Sequence, residues 1–300
     1  MDWLLNIWRW WELQALPGLL DGCRATLPAA WTWTQYDFML KAVIECILLT
    51  PICAAMGVKV VNFRMAFFSD AIAHSAFAGV ALGFLINETL VHFDPRISLI
   101  IFGLVVGLGI AAVRRKTDLS SDTVIGVFFS TVIAFGLAII AGVQKTGAFE
   151  QYLYGSILTL DAADLGLTAL LAGAVMVFML CGFNKLALIG LNDELAHSRG
   201  VPVRLYDYVF TLLLALVVTV SIRTVGILLV TALLIVPAAT ARNIAGSAGS
   251  MFRWSMLIGL VSGISGTLIS FSWFPQVGTG AMIILAAAFL FVLSFAGQRD

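Results

Sequence analysis

Charge is scarce in this sequence. Asp, Glu, Lys and Arg together make up 11% of 300 residues, and 17 acids cancel 17 bases. A soluble domain carries about 25% charged residues, so the shortage argues against a water-soluble domain, and the balance gives no reason to expect nucleic-acid binding. Cysteine is sparse too: Cys23, Cys46, Cys53 and Cys181, with no CxxC pair. Neither a thiolate metal site nor a disulfide framework is expected, and the four read as buried apolar fillers. Short catalytic motifs are missing. No GxxxxGK[ST] loop occurs, since Gly142-Val143-Gln144-Lys145-Thr146 has no glycine directly before the lysine, and neither HExxH nor GxSxG is present. The chain is therefore not expected to bind ATP, to hold a stable cofactor or to act as an enzyme.

What fills the space is apolar. Hydrophobic residues are 61% of the chain and mean hydropathy is +1.02, which points to an integral membrane protein with lipid as its main partner. A crossing helix needs about 20 mostly apolar residues. By that measure the chain is an all-α, polytopic transmembrane bundle of about nine spans (eight to ten): 38–58, 65–86, 97–113, 123–142, 165–183, 206–221, 224–241, 251–271 and 277–296. The division at 221–224 rests on Arg223 alone. Residues 1–35 carry Trp3, Trp8, Trp10 and Trp11 with Asp2, Arg9 and Glu12, which suits an interfacial, amphipathic extension rather than a signal peptide.

Basic residues sort to alternate loops. Lys59 and Arg64, Arg114–Lys116, Lys185 with Arg199 and Arg204, Arg242 with Arg253, and Arg299 share one side under strict alternation. Glu150, Asp161, Asp164 and the segment NETLVHFDPR fall on the other. The positive side faces the cytoplasm, which puts the N-terminus outside and the C-terminus inside. Gly103 and Gly107, and Gly259, Gly263 and Gly266, have the spacing that lets helices approach closely. Asp122 reads as a helix N-cap, and His92 and Asp94 as solvated loop residues.

Two places carry chemistry. Asp70 and His74 stand four apart in AFFSDAIAHSAFAGVALGFLI and share a helix face. Counted from Met65 at 1.5 Å per residue, they lie roughly 8–14 Å inside the span, where an acid costs on the order of 2.5–3.5 kcal/mol. A partner, water or an ion must offset that cost. The face continues through small residues, Ala73, Ala78 and Ala81, leaving room beside the pair. Carboxylate plus imidazole suits divalent Mn, Fe or Zn, and two copies at a dimer axis would double the ligands. Proton handling and a helix-packing pair remain open on local chemistry. Within 184–205, Asn192 caps a helix of about two turns with Asp193 and Glu194 first and His197 and Arg199 last, stopped by Gly200 before Pro202. It is either a docking surface or a connector. Glu45, inside the first span, attracts cations or pairs with a neighbour, and Pro237 kinks the seventh span near a possible pathway.

FRMAFFSDAIAHSAFAGVALG, with Arg64, Asp70, His74 and Gly79 in order, resembles the second-helix signature of the zinc/manganese/iron branch of ABC importer permeases. VGILLVTALLIVPAATA at 225–241 and NDELAHSRGV resemble two later segments of that family, with smaller echoes at 120–130 and 152–160. The likeness spans roughly 36–296; Phe77-Ala78 departs from it, and the N-terminal extension has no counterpart in it. It implies the membrane subunit of a transition-metal importer in the plasma membrane. Its partners would be a second permease copy or paralogue, cytoplasmic ABC ATPase subunits and an external metal-binding protein. Asp70 and His74 would coordinate the passing ion, and residues 192–200 would form or adjoin the coupling helix. The alternative is a proton-coupled secondary transporter using Asp70 and His74 as a relay.

Overall fold

The computed structural model describes residues 11–26, 32–63, 65–89, 94–142, 155, 160–274 and 276–296. Eleven α-helices occur among them, and no strand. A turn at Trp11–Ala15 leads into α1 (Leu16–Thr26), followed by α2 (Asp37–Asn62), α3 (Ala66–Thr89), α4 (Pro95–Lys116), α5 (Ser121–Gly142), α6 (Ala162–Leu191), α7 (Asp193–Ser198), α8 (Val203–Val225), α9 (Ile227–Ile244), α10 (Ala248–Ser272) and α11 (Thr279–Ala296). All nine expected apolar segments are helical. Seven are long and apolar enough to cross a membrane, and α9 and α11 are shorter apolar helices.

α2, α3 and α8 are the most buried of the long helices. α3 packs on α4 and α5, while α2 packs on α9, α10 and α6. α8 joins the two groups through α4, α3 and α6, and α9 crosses from α2 to α3. Glycine permits the tightest approach: a Cβ on Gly57 of α2 would lie 1.8 Å from the Leu234 carbonyl oxygen of α9. The expected glycine seams hold as well. Gly259 and Gly263 face Thr50, Gly266 faces Ile283, and Gly103 and Gly107 receive Thr219 and Ala215 of α8.

Three boundaries differ from the sequence reading. The α8–α9 division falls at Gly226, not at Arg223. Its φ of 92° is a conformation that residues with a Cβ rarely adopt, and Arg223 stays helical. α6 runs to Leu191, past the expected end at 183. Residues 184–191 keep an amphipathic pattern, with Leu186 buried and the Lys185 ammonium 5.4 Å from the Tyr206 ring. Ser120, rather than Asp122, caps α5 by accepting the Thr123 amide at 3.2 Å. Asp94 is likewise a cap, accepting the Arg96 amide at 2.9 Å. Cysteine burial also splits: Cys46 and Cys53 are buried, Cys23 is half-buried and Cys181 is exposed, and none is in a disulfide.

Charge gathers at the two ends of the bundle. At one end Asp207, at the start of α8, accepts from Arg114 at 2.6 Å and Arg115 at 2.8 Å, joining α8 to α4. At the other, Arg24 bonds Asp37, Trp11 Nε1 donates to the Ala162 carbonyl at 2.9 Å, and Leu16 and Leu20 pack on Leu40 and Leu165. The segment 11–26 thereby ties α2 to α6. Asp207→Ala would strand two guanidinium groups, and breaking such a buried pair costs about 3–5 kcal/mol. Thermal unfolding of the purified chain should show the loss, whereas Asp118→Ala, at an exposed site, should not.

Candidate functional site

α3 presents Asp70 and His74 on one face, as the spacing requires. Their side chains keep 33% and 27% of their surface in a helix whose apolar window is 61% buried, so the pair lies on a partly open face of a single chain. His74 Nδ1 lies 3.0 Å from the Asp70 carbonyl oxygen and 3.7 Å from its carboxylate. A neutral ring that donates Nδ1–H to that carbonyl leaves the Nε2 lone pair free to bind an ion. Thr231 of α9 donates to Asp70 Oδ1 at 3.2 Å, and the Phe129 ring of α5 meets the imidazole edge-on at 5.0 Å. The hydroxyl holds the Asp70 side chain and the ring packs against that of His74.

The small residues of that face do not leave open room beside the pair, as the sequence suggested they would. Ala73, Ala78 and Ala81 are all buried, because α5 lies across the helix and a Cβ on its Gly136 would come 3.2 Å from that of Ala78. The residues flanking the pair on the open face are Phe67, which is 67% exposed, and the half-buried Phe77. Arg64, the first residue of the signature, lies outside the described residues, as do His92 and Glu150. Among the described residues no group of three or more His, Cys, Asp or Glu side chains could hold a metal.

Glu45 and Pro237 do not join the pair. Glu45 is fully buried, and its Oε1 accepts Thr168 Oγ1 at 2.9 Å and Thr224 Oγ1 at 3.1 Å. It thus bonds α2 to α6 and α8. Pro237 lies inside α9 without ending it, six residues or about 9 Å along the helix from Thr231.

At the end with Arg114, Arg115 and Asp207, α7 stands as the sequence indicated. Asn192 Oδ1 accepts the Leu195 amide at 2.9 Å, and the helix covers Asp193–Ser198. Gly200 stops it at φ 73°. Asn192, Asp193, Glu194, His197, Arg199 and Gly200 are all exposed. Three leucines around it are bare: Leu191 at 82%, Leu195 at 44% and Leu205 at 60%. Beside α7 a groove of about 570 Å³ is bounded by Phe63, Arg114, Leu119, Ile189 and Asp193.

Sequence reasoning missed three members of these arrangements. Thr231 sits in a quoted segment, but only its contact with Asp70 marks it. Arg223 is an ion-pair member, 2.5 Å from Asp164, and Asp207 anchors both basic residues of α4.

The model of the ABC 3 transport family matches residues 35–298. The chain belongs to this family. Its residues 1–34 precede the matched region. A manganese transport system membrane protein of Halalkalibacterium halodurans is 31% identical over 262 residues, 87% of each chain. A high-affinity zinc uptake system membrane protein of Haemophilus influenzae is 29% identical, over 87% of this chain and 97% of that one. The solved structure of PsaBC from Streptococcus pneumoniae in complex with Fab superposes with a TM-score of 0.74 at 31% identity, covering 87% of this permease and 91% of that chain.

The permease is stabilised at the end carrying Glu45 by a ring of ion pairs. Arg96 reaches Asp161 at 3.4 Å and Asp164 at 3.9 Å, and Arg223 reaches Asp164 at 2.5 Å and Asp161 at 3.8 Å. These join α4, α6 and α8. Arg223→Ala should cost about 2 kcal/mol, between the ~0–1 kcal/mol of an exposed pair and the ~3–5 kcal/mol of a buried one. The drop in thermal midpoint should shrink in the double variant with Asp164→Ala.

Proposed function

We propose that this permease carries a transition-metal ion across the plasma membrane as the membrane subunit of an ATP-driven importer. The observation that supports this most is the Asp70–His74 pair. It lies at membrane depth, oriented by Thr231 and by the Asp70 carbonyl, with its free ligand atoms on a face that a single chain leaves open. A second permease copy or paralogue at this face would bring two carboxylates and two imidazoles together, a donor set for manganese, zinc or ferrous iron. Manganese and zinc appear in the names of the relatives. Phe67 and Phe77 would then keep water from the pair except where the ion passes.

The basic end of the bundle faces the cytoplasm on this reading, with the N-terminus outside and residues 1–35 at the outer interface. α7, with its bare leucines, would dock on the separate ATPase subunits, and an external metal-binding protein would deliver the ion to the opposite end. Hydrolysis in the ATPase switches the dimer between outward-open and inward-open states. This chain performs no bond chemistry; it exchanges water for carboxylate and imidazole around the ion and gives it up when the helices move.

Asp70→Ala or His74→Ala should abolish radiometal uptake into vesicles holding the complete transporter, with assembly unchanged by size-exclusion chromatography. Thr231→Val should weaken apparent metal affinity by about 10–100-fold, as for other groups that orient a ligand. Normal uptake in both alanine variants would overturn the site. Uptake by this chain alone, driven by a proton gradient, would favour a proton-coupled carrier instead. Leu195→Asp should prevent co-purification of the ATPase while leaving the permease folded; retained ATPase would remove α7 from the interface.

A further inference from the structure

Asp70 and His74 share a helix but not a support. Thr231 of α9 donates to the Asp70 carboxylate at 3.2 Å. The His74 imidazole instead meets the Phe129 ring of α5, with centroids 5.0 Å apart and planes at 70°. Each support is placed by packing of its own helix. Ile125, Val132 and Gly136 share the side of Phe129 on α5 by their spacing. The first two are buried, and a Cβ on Gly136 would meet that of Ala78, one turn beyond His74, at 3.2 Å. Thr231 stands one turn before Leu234, whose carbonyl oxygen closes on Gly57 of α2. α5 packs on α3 and α4, whereas α9 packs on α2, α10 and α11 as well as α3. The carboxylate is thus tied to one group of helices and the imidazole to the other.

The two ligands also differ in what they prefer. Carboxylate oxygen suits manganese, and imidazole nitrogen suits zinc. A ligand binds best when its side chain is already held in the binding orientation, and a group that holds it is worth about 10–100-fold in metal affinity. Phe129 carries no donor atom, so it acts only through the imidazole. An aromatic pair of this kind is favourable beyond the area it buries. It adds to the 3.0 Å approach of His74 Nδ1 to the Asp70 carbonyl. Without the ring the imidazole gains freedom to turn, and the Asp70 carboxylate lies 3.7 Å from Nδ1. An imidazole turned that way would pair with the carboxylate, and both ligands would be lost to the ion.

We propose that Phe129 is a positioning residue for His74, and that Phe129 and Thr231 divide the choice of ion between them. Thr231 acts through the carboxylate and favours manganese; Phe129 acts through the imidazole and favours zinc. This inference rests on the metal-carrying reading above and deepens it, since it assigns selectivity to two side chains that coordinate nothing themselves.

The test uses the complete transporter in detergent without its external binding protein, so that delivery does not select the ion. Equilibrium dialysis against radioactive manganese and zinc gives both apparent affinities for the wild type and for Thr231→Val, Phe129→Leu, Phe129→Met and Phe129→Tyr. Zinc binds more tightly at most sites, so the zinc-to-manganese affinity ratio is what decides. Thr231→Val should raise that ratio about tenfold, and Phe129→Leu or Phe129→Met should lower it about tenfold. Phe129→Tyr keeps a ring and should keep the wild-type ratio. A role confined to packing would weaken both ions alike. An assembled Phe129→Leu or Phe129→Met transporter with the wild-type ratio overturns the proposal, whether or not both affinities fall. Should neither assemble, Thr231→Val decides, and an unchanged ratio there overturns the division. Wild-type protein that binds neither ion, or binding that survives in both Asp70→Ala and His74→Ala, is a different result: it removes the site itself and with it the metal-carrying reading.

Discussion

Hydrocarbon offers no partner to a polar atom, and that single constraint organises the bundle. Hydroxyls in the spans return to their own helix, as Thr219 does to the Ala215 carbonyl at 2.8 Å, or cross to another, as Ser255 does to the Ala54 carbonyl at 2.8 Å; Thr211 Oγ1, buried without a partner, is an exception. Where a full charge lies near the core it is shared: Asp207 takes two arginines, and Asp161 and Asp164 divide two more. Against this background the side chains that do not close on the protein become informative. Asp70 and His74 stay partly exposed on an open face, and Glu45 keeps one buried oxygen without a hydrogen-bond partner. The permease spends its few charges at its two ends and at these two interior points.

The architecture was largely legible before any coordinate. Long apolar runs must be helices in lipid because only a helix satisfies its own backbone; hence nine expected segments became α2–α6 and α8–α11. The same holds for α7, whose Asn192 cap and Gly200 stop are local features of the chain. The Asp70–His74 face was readable because a spacing of four fixes it.

Boundaries and partners were less legible, for physical reasons. Arg223 looked like a break because charge seldom continues a span, but the backbone turns at Gly226 and the guanidinium is held by Asp164, 59 residues earlier. Hydropathy stops α6 at 183, yet the lysine stem of Lys185 lies along an aromatic ring and the helix goes on. The alanines after His74 looked like open space beside the pair; α5 covers them, and no periodicity within α3 states where another helix will cross. Thr231, Thr168 and Thr224 are ordinary in sequence and gain their roles only from what faces them.

Gly226 joins two neighbourhoods that otherwise share few groups. On one side of it, Thr224 holds Glu45 and Arg223 holds Asp164; on the other, Thr231 holds Asp70. Seven residues thus run from a rigid peripheral clasp to the carboxylate on the open face, with one backbone joint between them. The one residue between the two helices that holds a left-handed φ thus sits between a closed cluster of bonded charges and the carboxylate that stays on the open face.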